Sequence, residues 1–184
     1  PELGRNAILD TMRVIEALGD QQREFQERFP GGLAGGPTLT VTMIHGGRTR
    51  NAVPDECTIA VDMRIAPGMN SAESLADVQA GVNRLGLELT HSEPQIIAPP
   101  LNTAPDDPIT SVAVSACSAC LGRAVAAEGA PYGTDAAWLS KAAPAIVLGP
   151  GSIDTAHAID EVIDATEVAR SAEIYYRLMV HDWD

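Results

Sequence analysis

Between Asn6 and Phe29 the apolar residues Ile8, Met12, Ile15, Leu18, Phe25 and Phe29 recur at steps that share one helical face, while Arg13, Glu16, Arg23 and Glu27 fall elsewhere. That period predicts an amphipathic helix. It stops at Pro30-Gly31-Gly32, and the run through Gly36-Pro37 predicts a loop. Thr38 to Ile44 then alternates threonines with Leu39, Val41 and Met43, and Cys57 to Ile65 alternates Ile59, Val61 and Met63 with Thr58, Ala60, Asp62 and Arg64. Period-two alternation predicts two strands, each with one buried face. Asn70 and Glu73 have capping-box spacing before Leu75, Val78, Val82 and Leu85, and Gly86 closes that helix. Leu87 and Leu89 begin a third strand. Helix, strand, strand, helix, strand is a ferredoxin-like βαββαβ unit without its first strand. The absent strand is expected to precede Pro1, as the lack of an initiating methionine also suggests.

Pro94, Pro99, Pro100, Pro105 and Pro108 punctuate the next stretch and predict a boundary. Residues 1–97 are expected to form the ferredoxin-like domain and residues 98–184 a second, α/β unit. Asp107 as N-cap and Pro108 at the first helical position open a helix with Ile109, Val112, Ala116 and Cys120 on one face. Val125 to Ala127 predicts a short strand, and Thr134 can cap a helix carrying Trp138 and Leu139. Ala145-Ile146-Val147-Leu148, continuous and apolar, predicts a strand buried on both faces of a sheet. Asp164 and Glu167 box a last helix with Val168, Ala172, Tyr175 and Met179 inward. These pieces are too few for a complete doubly wound sheet, so the second unit is expected to be part of a larger one.

Charge narrows the functional classes. Lys plus Arg number 12 against 25 Asp plus Glu, a formal charge of −13, which argues against a nucleic-acid partner. No apolar run approaches the roughly 20 residues that span a bilayer, and no leader pattern is visible. Cys57, Cys117 and Cys120 are too few for a disulfide scaffold and favour a reducing compartment, so a cytoplasmic location is expected.

Candidate chemistry gathers in three places. Gly149-Pro150-Gly151-Ser152, Ala156-His157 and Asp160-Glu161 follow the apolar strand, where open α/β sheets hold ligands. His157 there is either a metal ligand or an ordinary loop histidine. Asn51 and Arg64 flank the second strand; the guanidinium of Arg64 can either fork onto a carboxylate or pair with Asp62 on the same face. Tyr132-Gly133-Thr134-Asp135 leads into a helix start, where Thr134 acts as a plain N-cap or faces a ligand. Cys117 and Cys120 lie inside a helix and are expected to be small core residues.

Taken together, Pro1-Glu2-Leu3-Gly4-Arg5-Asn6-Ala7, Ile44-His45-Gly46-Gly47 with Asn51, Pro54, Cys57, Asp62 and Arg64, Pro67-Gly68-Met69, and Leu148-Gly149-Pro150-Gly151-Ser152-Ile153 with Ala156-His157 and Asp160-Glu161 resemble the aminoacylase, acetylornithine deacetylase and succinyl-diaminopimelate desuccinylase family of metallohydrolases. The acetylornithine deacetylase branch is the most similar and the desuccinylases come next. The resemblance implies a ferredoxin-like lid and dimerisation domain followed by the C-terminal portion of a zinc-peptidase-like α/β sheet. It implies hydrolysis of an N-acyl amino acid at a two-zinc site, with cobalt as a possible substitute, in a homodimer joined through the lids. His157 would be a metal ligand, Arg64 would hold the substrate's α-carboxylate, Asn51 would reach the partner's site, and Gly133, Thr134 and Gly151 would line the substrate. The family's remaining metal ligands and its glutamate base belong before the lid, so these residues by themselves are expected to be inactive. A non-enzymatic dimerisation or ligand-binding module is the competing expectation.

Overall fold

The structure is a computed structural model that describes residues 4–95, 98–156 and 158–183. Helix α1 (Ala7–Arg28) starts where predicted, because the Asn6 side chain accepts hydrogen bonds from the backbone N–H groups of Ile8 and Leu9, at 3.0 and 3.4 Å. Its buried stripe is Thr11, Val14, Leu18, Gln21 and Phe25. Met12, expected in the core, is 52% exposed. The helix can bury two polar positions because they bring partners: the Thr11 hydroxyl donates to the Ala7 carbonyl at 2.8 Å, and the Gln21 amide donates to Glu24.

Strands β1 (Thr38–Gly46) and β2 (Cys57–Arg64) pair antiparallel, from Thr38 opposite Arg64 to Gly46 opposite Cys57. The register shifts between Val41 and Met43, so that Thr42 is an extra residue on β1. Up to the shift, alternation holds, with Leu39 buried and Val41 half-buried; beyond it, Met43 and Ile44 are 56% and 51% exposed. Helix α2 (Ser71–Asn83) is capped by Asn70, whose side chain accepts from Ala72 and Glu73, and the chain leaves it through Gly86 at φ 65°. Val14, Leu18, Leu39 and Val82 form one core cluster, with Ile59, Met63, Leu85, Leu87 and Leu89 packed against it. Phe25, Ala66 and Met69 form a second, backed by Phe29, Ile65 and Val78.

Leu87 and Leu89 therefore face the core as predicted, yet they form no strand, and the sheet has two strands. In a βαββαβ arrangement the last strand pairs with the first. No such first strand is among the described residues, so the backbone of Leu87 to Leu89 has no ladder to join.

The chain divides into two compact units, one drawn from residues 1–100 with 129–131 and the other from residues 101–128 with 132–184. In the second unit, α3 (Pro108–Leu121) is capped by Asp107 and leaves through Gly122 in the left-handed conformation. The short α4 (Ala136–Leu139) and a 3-10 turn (Ile153–Thr155) precede α5 (Ala165–Met179), which packs on α3. Val125 to Ala127 and Ala145 to Leu148, expected as strands, have no ladder partner among the described residues. The nearest substitute is the Thr103 hydroxyl, which bonds both the N–H and the carbonyl of Ala145. A strand exists only through its partner's backbone, and so Val147 is 50% exposed rather than enclosed. The buried residues of α5 are Ser171 and Ile174; Val168, Tyr175 and Met179, expected inward, are 48%, 39% and 75% exposed. The chain as a whole is a mixed helix and strand fold, with its paired strands in the first unit.

Candidate functional site

In the first unit, the loop between β1 and β2 is held against the start of α1. The Ala7 N–H donates to the Pro54 carbonyl at 2.9 Å. A side chain at Gly46 would put its Cβ 2.8 Å from Cys57 Sγ and 3.0 Å from Ile8 Cγ1, so this close approach requires glycine. Gly47 follows at φ 77°. Arg48 reaches Asp55 at 3.6 Å across the loop, and the Thr49 hydroxyl donates to Asn51 Oδ1 at 3.0 Å. Asn51 is exposed, with its amide NH2 turned to no partner among the described residues.

Arg64 ends β2 on the exposed face. Its Nε donates to Asp62 Oδ2 at 2.7 Å, which is the ion pair that the sequence offered as the plain alternative to ligand binding. That bond uses one edge of the guanidinium. Among the described residues the terminal nitrogens have no partner, so the fork that matches a carboxylate is free. Arg64 is the last residue of β2, and Asn51 lies in the loop before its first. At about 3.3 Å per residue an eight-residue strand spans roughly 23 Å, so the two side chains do not meet over one small ligand within a single copy.

In the second unit, the loop after Leu148 is tied to α5. The Tyr175 hydroxyl donates to the Leu148 carbonyl at 2.7 Å, and the Gly151 N–H donates to Glu167 Oε2 at 3.0 Å. Glu167 thus reaches the glycine loop instead of closing a capping box, and Asp164 caps α5 by accepting from the Thr166 N–H at 2.7 Å. That N–H, then the Thr166 side chain, and more weakly Arg170, hold the Asp164 carboxyl below its ordinary value. Gly151 takes φ 88°, a left-handed turn that suits glycine. Thr134 Oγ1 accepts from the Ala136 N–H at 2.9 Å, although the N-cap position of α4 is held by Asp135; Gly133 beside Thr134 is exposed and faces open space.

His157, the candidate metal ligand, lies outside the described residues. Among the described residues no three His, Cys, Asp or Glu side chains gather as a metal-binding group. These residues do not by themselves fit a two-metal site.

One further feature has no counterpart in any local motif. A cavity of about 200 Å³ lies between α3, α5 and the Gly149–Gly151 loop, bordered among others by Cys117, Arg123, Glu167, Arg170 and Ser171. Burial, and then the neighbouring Cys120 thiol, push the Cys117 thiol up from its ordinary value. Its bordering residues come from three separate stretches of chain, which no local motif connects.

Comparison with known proteins bears on both units. Residues 1–90 match the family described as the M20 peptidase dimerisation domain. Acetylornithine deacetylase of Pectobacterium atrosepticum is 30% identical over 190 residues, 98% of this chain and 47% of the relative. The acetylornithine deacetylase of Vibrio campbellii is 28% identical over 191 residues, 98% of this chain and 48% of the relative. The chain thus spans about half the length of the curated relatives it matches. Among solved structures, aminopeptidase PepT from Bacillus cereus ATCC 10987 matches with a TM-score of 0.67 at 20% identity, over 97% of this chain and 46% of its own. The M20 family metallo-carboxypeptidase Sso-CP2 from Sulfolobus solfataricus also scores 0.67, at 15% identity, over 97% of this chain and 53% of its own. These two likenesses establish the shared fold.

Proposed function

We propose that this chain, whose residues 1–90 match the M20 peptidase dimerisation domain, is the lid and C-terminal part of a metal-dependent amidohydrolase that removes the acyl group from an N-acyl amino acid. The acetylornithine deacetylases among its relatives support acetylornithine as the substrate type. Zinc is the proposed metal. One observation carries the reading: Asp62 holds Arg64 through Nε while the guanidinium fork stays unpaired at the end of β2. A planar fork with two free donors suits the α-carboxylate of an amino acid.

Each residue then has a task. Arg64 fixes the substrate by its carboxylate, and Gly133, Thr134 and Gly151 line it. Asn51, separated from Arg64 by the length of β2, serves the site of a second copy in a homodimer, which is what a dimerisation domain would bring about. His157 contributes one donor to the metal, and the other donors and the general base come from outside the described residues, so these 184 residues by themselves are inactive. Bound metal would supply the activated water of the hydrolysis. A cytoplasmic location accompanies this reading; no helix among the described residues is long and apolar enough to cross a membrane.

The test is acetate release from Nα-acetylornithine by the native-length protein that carries this chain, with and without Arg64→Ala. Loss of a charge-assisted fork worth about 1.5–3 kcal/mol predicts a fall in kcat/KM of roughly 10- to 100-fold. Full activity in Arg64→Ala, or no release from any N-acyl amino acid, overturns the proposal. Sedimentation velocity that finds a monomer at assay concentration removes the role given to Asn51.

A further inference from the structure

We infer that the cavity between α3, α5 and the Gly149–Gly151 loop is a binding site for a small tetrahedral oxyanion, held by Arg123, Arg170 and the Ser171 hydroxyl. The cavity holds about 200 Å³, a scale suited to inorganic phosphate rather than to a nucleotide. Three observations converge on it. Arg123 and Arg170 both border the cavity, and neither makes an ion pair or hydrogen bond through its side chain among the described residues. In a chain with 25 acidic residues against 12 basic ones, two arginines border one cavity with no carboxylate at ion-pair distance among the described residues. Ser171 is only 9% exposed, and its hydroxyl likewise has no hydrogen-bond partner among the described residues. No enclosed side-chain polar atom among the described residues lacks a partner, so the Ser171 hydroxyl is open to solvent, and the space that Ser171 borders is the cavity.

Two guanidinium groups stand against one carboxylate, Glu167, on the cavity wall. Glu167, on the cavity wall, has its carboxylate engaged by the Gly151 N–H at 3.0 Å. Asp164 attracts Arg170 only at longer range, its main partner being the Thr166 N–H. Cys117 also borders the cavity, and burial pushes its thiol up from the ordinary value. Arginine is the residue whose planar donor pairs match phosphate oxygens, and a third donor from a serine completes a tripod around a tetrahedral group. The site uses none of the residues assigned to the amino-acid substrate except the backbone neighbourhood of Gly151, and it stands whether or not the hydrolase reading does.

The experiment is isothermal titration calorimetry of the full 184-residue chain with inorganic phosphate, sodium chloride holding ionic strength constant, with sodium acetate as a parallel titrant. Site-resolved mass spectrometry of Cys117 alkylation by iodoacetamide runs alongside. Expected are saturable phosphate binding at one site per chain, slower Cys117 alkylation when phosphate is present, and weakening by about tenfold or more in Arg123→Gln and in Arg170→Gln. Arg123→Lys, which keeps the charge and loses the fork, should fall between wild type and Arg123→Gln. Both arginines are exposed, and a far-UV circular dichroism spectrum unchanged in each variant shows that the fold persists. Phosphate binding that is absent, that survives the Gln substitutions, or that leaves Cys117 alkylation unaltered overturns the inference. So does acetate saturating the site when phosphate does not.

Discussion

Asp62 and Arg64 form an exposed pair, worth at most about 1 kcal/mol to folding, so their arrangement matters more for where it holds the guanidinium than for stability. Asp62→Ala is accordingly expected to leave the melting temperature nearly unchanged and to raise KM for an N-acyl amino acid in the native-length protein, as Arg64 loses its tether; a shift in kcat alone would contradict this. Asp164 offers a second test. Its carboxyl is held below the ordinary value in the folded chain, so the charged cap stabilises α5 at pH above the ordinary carboxylate range and is lost as pH falls through the depressed folded value. Hydrogen exchange at Thr166 should therefore lose protection in acid, and Asp164→Ala should abolish that pH dependence. Asn70, which accepts from two backbone N–H groups, is expected to cost about 1 kcal/mol on replacement by alanine, read by chemical denaturation. The caps Asn70, Asp107 and Asp164 were legible in the sequence, because a cap is set by neighbours within three residues.

At the scale of elements, the helices were found; the predicted face of α2 is the buried one, with Val78, Val82 and Leu85 in the core, while the face of α1 was right in part and that of α5 was misplaced. The apolar period of α1 nominated Met12, yet the helix turns Thr11, Val14, Leu18, Gln21 and Phe25 inward. Polar residues with local partners can be buried, so a hydrophobic period alone does not fix the rotation of a helix about its axis. Phe25→Ala should destabilise the first unit by about 3–5 kcal/mol, while Met12→Ala should change it by well under 1 kcal/mol; urea denaturation of both variants checks the contrast. β1 and β2 were found as well, with alternation that fails past the Val41/Met43 shift. A one-residue bulge rewrites which side chains face the core, and its position depends on the partner strand rather than on the residues within it.

For the whole molecule, the two units differ in how fully they bury their apolar residues. Both buried clusters identified among the described residues lie in the first unit. In the second, Val147, Ile159, Val162, Met179 and Val180 are at least half exposed. Because apolar burial is the main stabilising force of a fold, amides of α3 and α5 should exchange with deuterium faster than those of α1, and the 184-residue chain should bind an apolar dye such as ANS. Uniform protection across both units would contradict the expectation. The sequence by itself determined the two helices and two paired strands of the first unit, their turns, the Asp62–Arg64 pair and the family resemblance, since all of these rest on residues close together along the chain or on characteristic spacing. Tertiary structure alone decided the faces of α1 and α5, the bulge, the failure of Leu87 to Leu89 and Ala145 to Leu148 to become strands, and the cavity of Arg123, Arg170 and Ser171. Each of those depends on partners distant in sequence, whose presence and direction no local pattern encodes.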